Sequence, residues 1–146
     1  MGEVIDRRPI TLSLIDMLTR GVKVDVFPAG AVPENAQAPF LVVAGTIAPV
    51  EFDESLEDDY SSMRFAYTIT SVGERLDQTE AIADRVRRTL CQRKSTGWQV
   101  DFKDLPAGVT IINRESLSSG SVEVIGQAPK VLLNFPEEFA LFAVAG

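Results

Sequence analysis

Read for the spacing of its apolar positions, the chain divides into segments of two clear periods. Ile10, Leu14, Met17 and Leu18 recur at helical spacing, with Pro9 in the first turn and Gly21 as the stop, which predicts a short helix over 10–20. Val22, Val24 and Val26 then alternate with Lys23 and Asp25 ahead of Phe27 and Pro28, the pattern of a half-buried strand ended by proline. The stretch Ala29 to Pro39 is rich in Ala, Pro and Gly and reads as a loop. From Phe40 to Ile47 the residues are apolar and largely β-branched, as in a central strand buried on both faces. Met63, Phe65, Tyr67 and Ile69 alternate with Arg64, Ala66, Thr68 and Thr70, the clearest strand in the chain.

The period then changes. Leu76, Thr79, Ile82, Ala83, Val86 and Leu90 form an apolar stripe that predicts a long helix over 75–93. Asp77 with Glu80 three residues on has the spacing of a capping box, which places the start of the regular helix there. Arg87, Arg88, Arg93 and Lys94 crowd its predicted last turns, where cations complement the helix dipole. Beyond Gly97, Val109–Asn113 and Val122–Ile125 are strand-like, and Ser118 to Ser121 reads as the loop closing a hairpin between them. Phe139 to Ala145 is apolar and uncharged, the pattern of a last strand laid into the sheet. The expected fold is α/β (α+β): one domain over 1–146, a mixed or antiparallel sheet with one long and one short helix packed on it.

Composition changes this picture mainly by exclusion. With 45% apolar and 24% charged residues in 146, the chain has enough apolar matter for one core and too little length for two. No apolar run reaches the length of a membrane helix, and the first ten residues lack the apolar block of a signal peptide, so the expectation is a protein of the cytoplasm with no membrane partner. Its single cysteine, Cys91, lies beside the helical stripe and is expected to be a packed, inert thiol. Trp98, after Gly97, is expected to anchor its loop to the domain.

The search for chemistry finds little. There is no histidine, which removes the commonest general base, most zinc sites and the usual triads. Neither a phosphate-binding Gly-x-x-x-x-Gly-Lys loop nor a Gly-x-Gly-x-x-Gly turn is present. Asp101-Phe102-Lys103 has the acid-x-Lys form of magnesium-dependent nucleases, a triplet that chance readily supplies in a chain with 21 acids. The run Glu51, Asp53, Glu54, Glu57, Asp58, Asp59 lacks the spacing and glycine of a calcium loop. No cofactor or metal is expected, and no enzymatic activity. The net charge of −7 resides in residues 1–59, with 4 basic and 11 acidic side chains; the remainder holds 10 of each. Such a balance opposes tight binding to a phosphate backbone.

The order of elements, and the wording Val24-Asp25-Val26-Phe27-Pro28, Ala38-Pro39-Phe40-Leu41-Val42-Val43, Tyr67-Thr68-Ile69-Thr70-Ser71 and Asp77-Gln78-Thr79-Glu80-Ala81-Ile82-Ala83-Asp84-Arg85-Val86, resembles the tail terminator (tail completion) proteins of long-tailed bacteriophages. The resemblance spans residues 10–92; the C-terminal third shares only its strand content. It implies a structural virion protein whose subunits close into a hexameric ring, cap the tail tube and meet the head–tail connector protein. The implied partners are further copies of the chain, the tail tube protein and the connector, with DNA passing through the ring without specific binding. The implied location is the tail or neck of the virion, and the host cytoplasm during assembly. Glu51, Asp53, Glu54, Glu57, Asp58 and Asp59 are the candidate channel or partner surface, alongside the plainer reading of a solvated hairpin tip. Phe135, Phe139 and Phe142 are the candidate subunit interface, with the loop Ala29 to Pro39 as its other side. Three alternatives stand beside this: another neck or head-completion subunit, a metal-dependent nuclease built on Asp101 and Lys103, and a small ligand-binding domain.

Overall fold

The structure, a computed structural model, describes residues 5–45, 61–127 and 130–145. Its elements are α1 (Arg7–Val22), β1 (Asp25–Pro28), β2 (Phe40–Gly45), β3 (Ser61–Gly73), α2 (Leu76–Cys91), β4 (Arg93–Lys94), β5 (Gly97–Trp98), β6 (Val109–Ser119), β7 (Glu123–Gln127) and β8 (Lys130–Ala145). One sheet runs in the order β1-β2-β3-β8-β6, with β7 also paired to β8; β4 and β5 pair only with each other. The β1–β2 pair is parallel and every other pair is antiparallel. The α/β expectation holds, with one adjustment: the two helices are equally long, 16 residues each.

Alternation along the strands sorts side chains between two faces. Phe65, Tyr67 and Ile69 stand opposite Leu141, Phe139 and Glu137 in register, and Val43 opposite Ile69. With Leu14, Met17 and Leu18 of α1 and Ile82, Val86 and Leu90 of α2, these apolar side chains form the buried core. Among the described residues no helix covers the opposite face, where Val42, Thr68 and Thr70 are only half-buried. That face is uncharged in its middle and gains a cation where Arg64 lies 6.0 Å over the Phe142 ring.

Local chemistry explains where the helices end. Lys23, in the left-handed region at φ 64°, caps α1 by donating its N–H to the Thr19 carbonyl. Gly21 therefore is not the stop. It stays helical because a Cβ there would collide with Thr89, so the glycine lets α1 and α2 approach closely. Arg85 of α2 donates Nη1–H to the Val22 carbonyl at 2.9 Å, satisfying one of the orphan acceptors at the end of α1. α2 starts at Leu76 with Arg75 as its N-cap, and Asp77 sits in the first turn, ion-paired to Arg75. The capping box expected at Asp77 is thus displaced by the preceding turn, where the Glu74 N–H bonds the Gln78 side chain. The helix ends at Cys91, so Arg93 and Lys94 belong to β4 and not to its last turn.

The C-terminal third departs most from expectation. β6 and β7 do not form a hairpin with each other; both pair with the same long strand, β6 against Glu137–Ala145 and β7 against Lys130–Asn134. The Gly120 N–H bonds the Pro136 carbonyl at 2.8 Å, so the serine-rich segment continues along β8 without turning back. β8 begins well before Phe139, with Pro136, Glu137 and Glu138 inside it. These three residues concealed its first half from a reading by apolar pattern.

Candidate assembly surface

The acidic run Glu51, Asp53, Glu54, Glu57, Asp58 and Asp59 lies outside the described residues. Of the three candidate interface aromatics, Phe139 is 1% exposed and part of the core, because its position on β8 places it opposite Tyr67 on the helix-covered face. Phe135 and Phe142 are half-buried. The whole C-terminal segment is the centre of the sheet, flanked by β3 and β6, so it offers no free strand edge. The loop over 29–39 is largely exposed. Its residues Ala36 and Ala38 line an open groove of about 340 Å³ together with Ile125, Val131 and Leu132 of the β7–β8 ribbon.

Asp101 and Lys103 do not form a nuclease centre. Both side chains are exposed, and their backbone carbonyls are what the fold uses: Asp101 O accepts from Arg20 and Lys103 O from Ser13, tying residues 101–103 to α1. No group of three or more metal-ligating side chains occurs among the described residues.

The densest polar arrangement in the molecule is structural, and the sequence reading missed its centre. Arg114, on β6 opposite Leu141, is 6% exposed. Its Nη1 donates to the carbonyls of Val100 at 2.7 Å and Leu90 at 3.2 Å. The guanidinium lies 4.8 Å from the Trp98 ring and 4.7 Å from the Phe102 ring, and Arg93 stacks on Trp98 at 4.4 Å. Burial pulls the Arg114 pKa down to about 10, against the favourable field of Asp101 and Cys91, so the side chain remains a cation at neutral pH. Trp98 is indeed an anchor; what it anchors to is this arginine. The clue in the sequence was an arginine set in strand β6 after a bulge, which shifted it onto the covered face.

A second buried charge, Glu137 with a side chain 2% exposed, is ion-paired with Arg87 of α2. Arg87 therefore serves a specific partner as well as the helix end. Burial raises the Cys91 thiol above its ordinary pKa; the Arg114 and Arg87 charges oppose this less strongly. The thiol thus lacks the depressed pKa that makes a cysteine reactive.

Apolar side chains left in solvent concentrate in one place. Of eight exposed large hydrophobic residues, Ile112, Leu117, Val122, Val124 and Ile125 all belong to the ribbon formed by β6, β7 and their connection. Ile112 and Leu117 are the extra residues at the two register shifts between β6 and β8. A bulge leaves its extra residue unpaired in the ladder, which accounts for their standing clear.

These features define a two-layer α/β subunit with an apolar outer ribbon and, among its described residues, no assembled catalytic constellation. No protein-family model matches the chain, and no curated protein matches it. Among solved structures it is similar to a chain of the virion of a native gene transfer agent (GTA) particle. The likeness has a TM-score of 0.60 at 12% identity and covers 94% of this chain and 96% of that one. At that identity the shared property is the fold, over nearly the full length of both chains.

Proposed function

We propose that the chain is a structural subunit of a phage-like virion, and specifically a tail terminator: a ring, hexameric by the family resemblance, that caps the tail tube and joins it to the head–tail connector. The observation that carries this reading is the near-complete, two-way coverage by a virion chain of the same fold. The wording over residues 10–92 supports the same family independently of the C-terminal strands. The acidic balance of the chain suits a ring through which DNA passes, since a lining that repels phosphates does not hold them. In this reading the partners are other copies of the chain, the tail tube protein and the connector protein, and the work is done by shape and contact without cofactor or catalysis.

The test is decoration of purified tail tubes. Labelled protein is expected at one end of each tube, and tubes so capped should no longer lengthen when tube subunit is added. Binding along the tube walls, or to isolated connectors with none to tubes, would overturn the terminator assignment; the second result would favour a head-completion subunit.

A further inference from the structure

We infer that the ribbon of β6 and β7 is the arm by which one copy of this chain grips the next, an assignment that rests on the virion-subunit reading above and moves the interface away from the C-terminal aromatics. Along β8 the two strands follow one another on the same edge, so residues 109–127 form the outer boundary of the sheet. At the other boundary, β1 has four residues and ends at Pro28. The long edge is thus the one with strand hydrogen-bonding groups to offer.

The β7–β8 part is apolar on both faces. Val124 pairs with Leu133 on one face and Ile125 with Leu132 on the other, and Val124 and Ile125 are 67% and 45% exposed. At Val131 and Leu132, β8 pairs with β7 alone, because β3 reaches only to Leu133. A two-stranded ribbon is marginal by itself in water, and one carrying apolar side chains on both faces is completed by a neighbour.

Charge identifies that neighbour as a second copy. The chain carries −7, so two copies repel wherever their carboxylates meet and can approach only through a surface that lacks them. Residues 116–127 hold one charged side chain, Glu123. The ribbon offers no cation to a phosphate backbone either, since the one arginine of β6 is buried under Trp98 and Phe102. A closed ring needs two different patches on each subunit, and the ribbon supplies one of them.

The experiment is sedimentation velocity of the full chain across a concentration series at low and high salt, with two double variants, V124D/I125D and V124T/I125T. The parent is expected to self-associate, more strongly at high salt because screening weakens the mutual repulsion. V124D/I125D should weaken association by at least about thirtyfold, the scale of losing one interface hot spot. V124T/I125T keeps strand propensity and should weaken it by a smaller factor. Thermal melts of both variants should stay close to that of the parent, since the sites are exposed in the single chain; if the Asp pair misfolds, the Thr pair decides. A parent that stays monomeric at every concentration and salt, or folded variants that associate as the parent does, would overturn the inference. Self-association through the ribbon without capture of tube ends would leave it standing and overturn the terminator reading instead.

Discussion

Ile82→Asp is expected to unfold the protein. Ile82 is 1% exposed in the middle of α2, in the same cluster as Leu14 and Leu18 of α1 and Ile69 of β3. A carboxylate there has no described cation within the apolar cluster to receive it. It must be buried unpaired or take up a proton, at a cost of several kcal/mol. A domain of this kind is stable by only about 5–15 kcal/mol, so the substitution removes much or all of the margin. Ile82→Val, which deletes one methyl group, should cost about 0.5–1.5 kcal/mol and keep a cooperative transition. Far-ultraviolet dichroism with thermal melting separates the two. An Asp variant that melts cooperatively near the parent temperature would show that the α2 stripe does not face the sheet.

Arg114→Ala is expected to lower stability by about 2–4 kcal/mol, from two charge-assisted hydrogen bonds and the stacking on Trp98 and Phe102. At about 2–4 °C per kcal/mol for a chain of this size, the melting temperature should fall by roughly 5–15 °C. The loss should be local first, because Arg114 holds residues 90–102 against the sheet; hydrogen exchange there should quicken before the core opens. With the folded pKa near 10, the arginine is protonated in both folded and unfolded states at neutral pH. Its contribution is therefore level from pH 5 to 9. Above pH 10 the unfolded state would retain a proton that the folded one releases, so the cost of burying this charge would ease as pH rises. A variant with unchanged melting would mean that the carbonyls of Leu90 and Val100 find other donors.

Apolar period alone revealed the helical stripe of α2, the alternation of β3 and the core face of α1, because each obeys one period without interruption. It failed where a residue of the wrong type sits inside an element for a tertiary reason. Lys23 ends α1 in a conformation usually left to glycine, while Gly21 remains in the helix to make room for Thr89. Glu137 lies within β8 because Arg87 neutralises it, and Arg114 faces the core because a bulge at Ile112 turned it there. The ribbon was hidden for a related reason. Ser118 to Ser121 has the composition of a turn, yet pairing along β8 carries it straight on, and a single sequence does not reveal that shared partner. Phe139, Phe142 and Phe135 were read together as surplus apolar matter; alternation along β8 sends Phe139 to the opposite face from Phe142, and into the core.

The central claim is that the protein is a ring-forming subunit, and imaging the purified full chain by negative stain, with mass photometry on the same sample, tests it most directly. The account predicts closed rings with an open axial channel and a mass of about six subunits, the cyclic state that a heterologous interface produces when its rotation closes. Particles that remain single 15.9 kDa subunits at high concentration, form no rings and fail to collect at tail-tube ends would contradict it.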